Sequence, residues 1–151
     1  MADTIRELIL QDIVSQLQTL TIANGYNTSC GQSVARARME IAIADLPAIS
    51  IIPGEESAQK GYGEQLHTMP LEVHALHKRG DLDMSVLAEQ MLGDLISCLV
   101  GGQDSISYID SLAYTGGGVD EWPAPEDQAL SVRASLEVEY TTVIGDPYTQ
   151  P

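Results

Sequence analysis

Basic residues are scarce: 7 Lys and Arg stand against 22 Asp and Glu, a formal charge of −15 over 151 residues. A chain of that sign repels polyphosphate, which excludes a groove that holds nucleic acid tightly by counterion release and a polybasic membrane anchor alike. Phenylalanine is absent, and with 6 Tyr and 1 Trp the core has to be aliphatic. The two cysteines lie far apart with no redox or zinc spacing, so a reduced pair is expected. Cys98 falls in an apolar helical pattern and reads as a small core residue; Cys30 lies beside Gly31 in a loop. No apolar run approaches the ~18 residues that cross a bilayer, and Met1-Ala2-Asp3-Thr4-Ile5-Arg6-Glu7 lacks the regions of a secretory signal. The expectation is a soluble protein made in a cytoplasm, with a core large enough to need no disulfide or metal staple.

What is present is a mixture of two periods. Ile5, Leu8, Ile9, Ile13, Leu17 and Leu20 recur at helical spacing, which predicts a helix over 4–20 capped by Thr4 with Glu7 reaching back, and ended by Asn24-Gly25. Residues 26–45 alternate weakly at 34–38 and 39–43 and fit one strand, or a strand and an irregular arm. A short strand is expected at 48–52, ended by Pro53-Gly54, then an exposed polar loop over 54–65. The next strand covers 66–78, with Leu71, Val73 and Ala75 on one face and Glu72, His74 and Leu76 on the other; Pro70 places its start near 70, or a bulge or edge there. A second helix spans 84–100, capped by Asp83 or Ser85, with Val86, Leu87, Met91, Leu92, Leu95, Ile96 and Leu99 as its apolar face and Gly101-Gly102 closing it. A strand over 106–114 and a glycine-rich loop over 116–128 follow. The strictest alternation is the last: Leu130, Val132, Ala134, Leu136, Val138 and Tyr140 against Ser131, Arg133, Ser135, Glu137, Glu139 and Thr141. It means one buried and one wet face. The order predicts an α+β fold: an antiparallel sheet of about four to five strands with two helices on one face and long loops, a single domain over 1–144 with an extended tail over 145–151.

Catalytic patterns are thin. His74 and His77 point to opposite faces of a strand and cannot easily share a metal. Glu137 and Glu139 stand ~7 Å apart on one wet strand face, a separation seen in glycosidase carboxylate pairs, though such residues also serve solubility and partner binding. Asp81-Leu82-Asp83 lies before a helix and reads as capping. Gly116-Gly117-Gly118 lacks the Lys and Ser/Thr of a phosphate loop. No cofactor or metal is expected. Loops of about twelve residues are uncommon and often functional. Tyr62, Trp122 and Tyr148, placed in loops or the tail, are candidate interface anchors, and Trp122 equally fits a residue folded back on its own domain.

Taken in order, these segments resemble the tail terminator proteins of long-tailed bacteriophages, also known as minor tail or tail completion proteins. The resemblance rests on the opening Ile5-Arg6 helix through Leu17, and on the Arg36/Arg38 segment before Asp45-Leu46-Pro47-Ala48-Ile49-Ser50-Ile51. It continues through Gly54-Glu55-Glu56 leading into Leu71-Glu72-Val73, the Val86–Leu99 helix, and Leu136-Glu137-Val138-Glu139-Tyr140 with Gly145-Asp146-Pro147-Tyr148. It implies a non-enzymatic virion protein that assembles in the host cytoplasm into a ring, typically a homohexamer. That ring caps the tail tube, joins the head connector and lets DNA pass through its lumen without tight binding. The interface candidates are Glu55, Glu56, Tyr62, Trp122, Glu137, Glu139 and Tyr148, and the channel-lining candidates are Glu55, Glu56 and Glu64. The alternative is a small cytoplasmic enzyme or ligand-binding domain using Glu137/Glu139 or His74/His77.

Overall fold

Unbroken alternation over 129–143 makes a strand that must hide one face, and the computed structural model, which describes residues 2–38 and 40–151, hides it under two helices. In chain order the elements are α1 (Ile5–Leu17), β1 (Val34–Arg36), β2 (Ala48–Pro53), β3 (Ser57–Lys60), β4 (Glu64–Lys78), α2 (Met84–Leu99), β5 (Ser111–Val119) and β6 (Ala129–Val143), joined by short 3-10 turns and loops. The strands form one six-stranded sheet in the order β1-β2-β4-β6-β5, with β3 on the free flank of β4 beyond β2. Only β1 runs parallel to its neighbour; the other pairs are antiparallel. The fold is α+β, with one strand more than the alternation suggested.

The frame is β4 against β6, fifteen residues each, in register from Glu64↔Val143 to Lys78↔Ala129. Met69, Leu71, Val73 and Ala75 of β4 and Leu130 through Val138 of β6 are buried at alternate positions and share one core with Ile9, Ile13 and Leu17 of α1 and Leu87, Met91, Leu95 and Leu99 of α2. Pro70 sits inside β4, not at its start. Its carbonyl accepts from the Gly54 N–H (2.8 Å), so its missing N–H faces the gap where β2 gives way to β3, and no bond to β6 is lost.

Thr4 and Asp83 cap α1 and α2, accepting from the N–H groups of Glu7 (3.1 Å) and Ser85 (2.8 Å). The Glu7 carboxylate does not close a capping box. It forks onto Arg36 of β1 at 2.6 and 2.8 Å, and that contact holds its pKa below the ordinary carboxylate value. Helix α1 also stops earlier than expected: Gly25, at φ 95°, closes the separate 3-10 turn Ile22–Asn24. A second turn, Cys30–Gln32, presses so closely on the end of α1 that a Cβ on Gly31 would lie 2.1 Å from the Leu17 carbonyl oxygen. Cys30 and Cys98 are both buried, and burial pushes the Cys30 thiol up to about 11.

Five expectations are corrected. The segment 54–65 is mostly a hairpin, β3 and the start of β4 around Gly61-Tyr62-Gly63. Gly116-Gly117-Gly118 is not a turn but the second half of β5, entered through a bulge between Tyr114 and Gly116, while 106–110, expected as strand, is irregular with Tyr108 at φ 73°. Val86 is 48% exposed, and the face of α2 instead buries Ala88, Asp94 and Cys98. The segment 145–151 is not extended: it turns at Gly145 and folds back, with the Ile5 N–H donating to the Pro147 carbonyl and the Val143 N–H to the Thr149 carbonyl, both 2.9 Å. Of the 26–45 alternatives, a three-residue strand and an irregular arm is what forms; the arm covers Ser50, whose hydroxyl donates to the Arg38 carbonyl (2.7 Å), and Met39 lies outside the described residues.

This register makes a direct prediction. Glu137 is exposed on the face of β6 away from the helices, so Glu137→Ala should move the urea midpoint by no more than about 0.5 kcal/mol of stability. A larger loss would place that residue against protein.

Candidate interaction surfaces

The molecule has two unlike ends because β4 and β6 run its whole length. At one end lie the β3–β4 hairpin, the start of α1 and the returning chain terminus; at the other, the end of β4, the start of α2 and the 120–128 loop.

At the first end the core-facing parity of the strands continues, but its residues become polar. His67 of β4 and Tyr140 and Thr142 of β6 sit where Met69 and Val138 would predict more core. His67 stacks on Tyr140 with ring centroids 4.4 Å apart. Its Nε2 lies 2.8 Å from the Thr142 hydroxyl and its Nδ1 2.8 Å from Glu56 Oε2. The other Glu56 oxygen accepts from the Tyr140 hydroxyl and from Arg6 of α1 (3.0 Å), and Arg6 also donates to the Gly54 carbonyl (3.0 Å). Since Glu56 can only accept, the network assigns the Nδ1 proton to His67 and leaves Nε2 to accept from Thr142 in the neutral ring. Burial opposes the charge on Glu56, but the bonds from Tyr140 and His67 and the nearby Arg6 outweigh it and hold its carboxyl below the usual range. Burial, and then Glu56, push the Tyr140 phenol up.

This cluster fastens the hairpin to the body, and Glu56 is its centre. The hydroxyl–imidazole–carboxylate order is also that of a nucleophile relay, and a shallow groove of about 360 Å³ opens beside His67 and Thr142. The Thr142 residue is 3% exposed, however, and the carboxylate is tied at the same time by a guanidinium and a phenol.

The other candidates separate. Glu55 is exposed while the neighbouring Glu56 turns inward, and Glu64 is half-buried beside the hairpin turn, where its carbonyl accepts from the Gly61 N–H. Tyr62, at the hairpin tip, is 104% exposed. Glu137 and Glu139 share the helix-free face of β6 and are exposed. His74 lies on that same face, 3.2 Å from both Glu72 and Asp120, whereas His77, on the opposite parity, meets the Lys78 carbonyl at 2.9 Å. Tyr148 is 50% exposed on the returning terminus. At the far end Trp122, 57% exposed, lines a groove of about 500 Å³ with Arg79, Leu82, Asp83, Met84 and Ser85. Among the described residues, no group of three or more His, Cys, Asp or Glu is placed to hold a metal.

Sequence reasoning passed over His67, Tyr140 and Thr142 as a group; the legible signal was polar residues on core parity at the ends of two strands. The chain matches no protein-family model and no curated protein.

Proposed function

We propose that this protein is a structural ring subunit of a long-tailed phage virion, a tail terminator that stops tube growth and joins the tail to the head. The observation that carries the reading is the shape of the frame: two fifteen-residue strands make a plank with one face covered by helices, one face free of helices and exposed along β6, and unlike ends. A ring subunit needs such unlike surfaces, because each copy meets its two neighbours through different patches and the tube through a third. The acid excess supports the same reading, since a passage for DNA works better when its wall makes no phosphate contacts to break. Exposed Glu55 and half-buried Glu64 are the carboxylates that fit such a lining; Glu56 is occupied inside the protein.

Size-exclusion chromatography with mass measurement tests this. A ring, or assembly that rises with concentration, is expected, and a cryo-EM map of the neck should place the chain between tube and connector. A compact monomer at all concentrations would reject the reading. The competing enzymatic reading draws its geometric support from Thr142, His67 and Glu56, and not from Glu137/Glu139 or His74/His77. It requires turnover of an activated ester that His67→Gln abolishes.

A further inference from the structure

We infer that Tyr62, at the tip of the β3–β4 hairpin, docks into the Leu82/Met84/Trp122 groove at the opposite end of a second copy of this chain. The inference rests on the ring reading and deepens it by naming the neighbour contact. The tip is built for insertion. Its tyrosine is flanked by two glycines, is fully exposed, and stands on a hairpin clamped to the body through Glu56. A large ring held in water on a rigid support loses little conformational freedom when it docks.

The groove offers the complement. Leu82 and Trp122 are 50% and 57% exposed, and with half-buried Met84 they wall a space of about 500 Å³ beside Arg79 and Ser85. The Arg79 guanidinium, bonded to the carbonyls of Ala124 (3.1 Å) and Asp127 (2.9 Å), fixes the loop that carries Trp122, so the wall is preformed.

Charge decides in favour of a second copy. Copies carrying −15 repel one another wherever acidic surfaces meet. Two charged residues flank the hairpin tip: Glu64 is half-buried with its side chain folded over Gly61, and Lys60 is exposed and makes no ion pair among the described residues. The groove end carries exposed Asp81 and Glu121 together with Lys78 and Arg79, whose guanidinium is held by the Ala124 and Asp127 carbonyls. Lys60 against Asp81 or Glu121 is thus the pairing across this seam in which unlike charges meet. The two patches lie at opposite ends of β4, ~45 Å apart at ~3.3 Å per residue. One chain therefore cannot satisfy itself, and the contact is heterologous, the type that closes into rings. A tyrosine buries ~150–250 Å², so it anchors an interface without supplying all of it.

The test uses the full-length chain. Tyr62→Ser, which alters only an exposed tip, should raise the concentration for half-assembly by about tenfold or more, and Lys60→Glu should weaken assembly in a salt-dependent way. Carbodiimide coupling of the wild-type assembly, read by peptide mass spectrometry, should give a link from Lys60 to Asp81 or Glu121, which the length of β4 forbids within one copy. Assembly unchanged by Tyr62→Ser, with no such link, overturns this contact and leaves the ring reading standing. A wild-type chain that is monomeric at every concentration overturns both.

Discussion

Replacing Asp94 with alanine is expected to cost about 3–5 kcal/mol, in the range of truncating a core leucine. Asp94 is 3% exposed on the buried face of α2 and has no cationic partner among the described residues. Its charge is held by neutral donors. The Thr28 N–H and hydroxyl each donate at 2.8 Å to one oxygen, and the Asn27 N–H donates at 3.1 Å to the other. Those donors belong to the irregular segment between the end of α1 and the Cys30 turn, where neither helix nor ladder can satisfy the backbone. One carboxylate therefore substitutes for secondary structure there. Alanine would leave the buried Thr28 amide without an acceptor and its hydroxyl with only the Cys30 sulfur at 3.4 Å, and would turn the amide of exposed Asn27 back to water; the penalty is the desolvation of the Thr28 groups more than the loss of the bonds themselves. Asp94→Asn should lose less, since it keeps a carbonyl oxygen but turns an NH₂ toward one donor. Urea unfolding of the three proteins followed by circular dichroism checks the order. An alanine variant with the wild-type midpoint would show that the segment 26–30 is not held this way.

Asp94 also illustrates what the sequence could and could not say. Apolar periodicity marked Leu87, Met91, Leu95 and Leu99 as one helical stripe, and the stripe is buried. A charge within that stripe carries no local sign of its partners, which come from a segment some 66 residues away in the chain. Strict alternation likewise placed β6 and the core face of β4, because a period of two allows only one face to be buried. Composition misled where backbone pairing outweighed it. Ser57–Lys60 is polar and exposed throughout, yet forms a strand because β4 offers it an open edge beyond the end of β2. Gly116-Gly117-Gly118 has the residues of a turn, yet pairs with β6, where a side chain on Gly117 would strike the Arg133 carbonyl oxygen at 2.4 Å. Of the interface candidates, the exposure of Tyr62 and Trp122 was legible from their loop setting. The inward turn of Glu56 was not, because it depends on Arg6, His67 and Tyr140, three elements that only the fold brings together.

Glu56→Ala should destabilise the protein by about 2–3 kcal/mol at neutral pH and flatten its response to acid. The alanine orphans the Tyr140 hydroxyl and the Nδ1 proton of His67 and frees Arg6, while the partial exposure of the site lets water replace some of what is lost; that exposure keeps the figure below the one for Asp94. The pH dependence follows from linkage. In the folded state the Glu56 carboxyl lies below its ordinary value, so the unfolded chain binds its proton more tightly. The stabilisation is therefore complete above the ordinary carboxylate range and is lost as pH falls through the lower folded value. Glu7, held down by Arg36, acts with the same sign at the surface. Tyr140 gives the opposite limb: its phenol is raised in the fold, so its contribution is complete below the ordinary tyrosine value and fades as pH climbs above it. Thermal unfolding from acid to alkaline pH should show a dome for the wild type and a shallower acid side for Glu56→Ala. Because Glu56 fastens the hairpin, the same variant should speed amide exchange over 57–66 while leaving the centre of β6 protected. Equal acid sensitivity in both proteins, or unchanged exchange in the hairpin, would mean that the clasp does not hold Tyr62 in place.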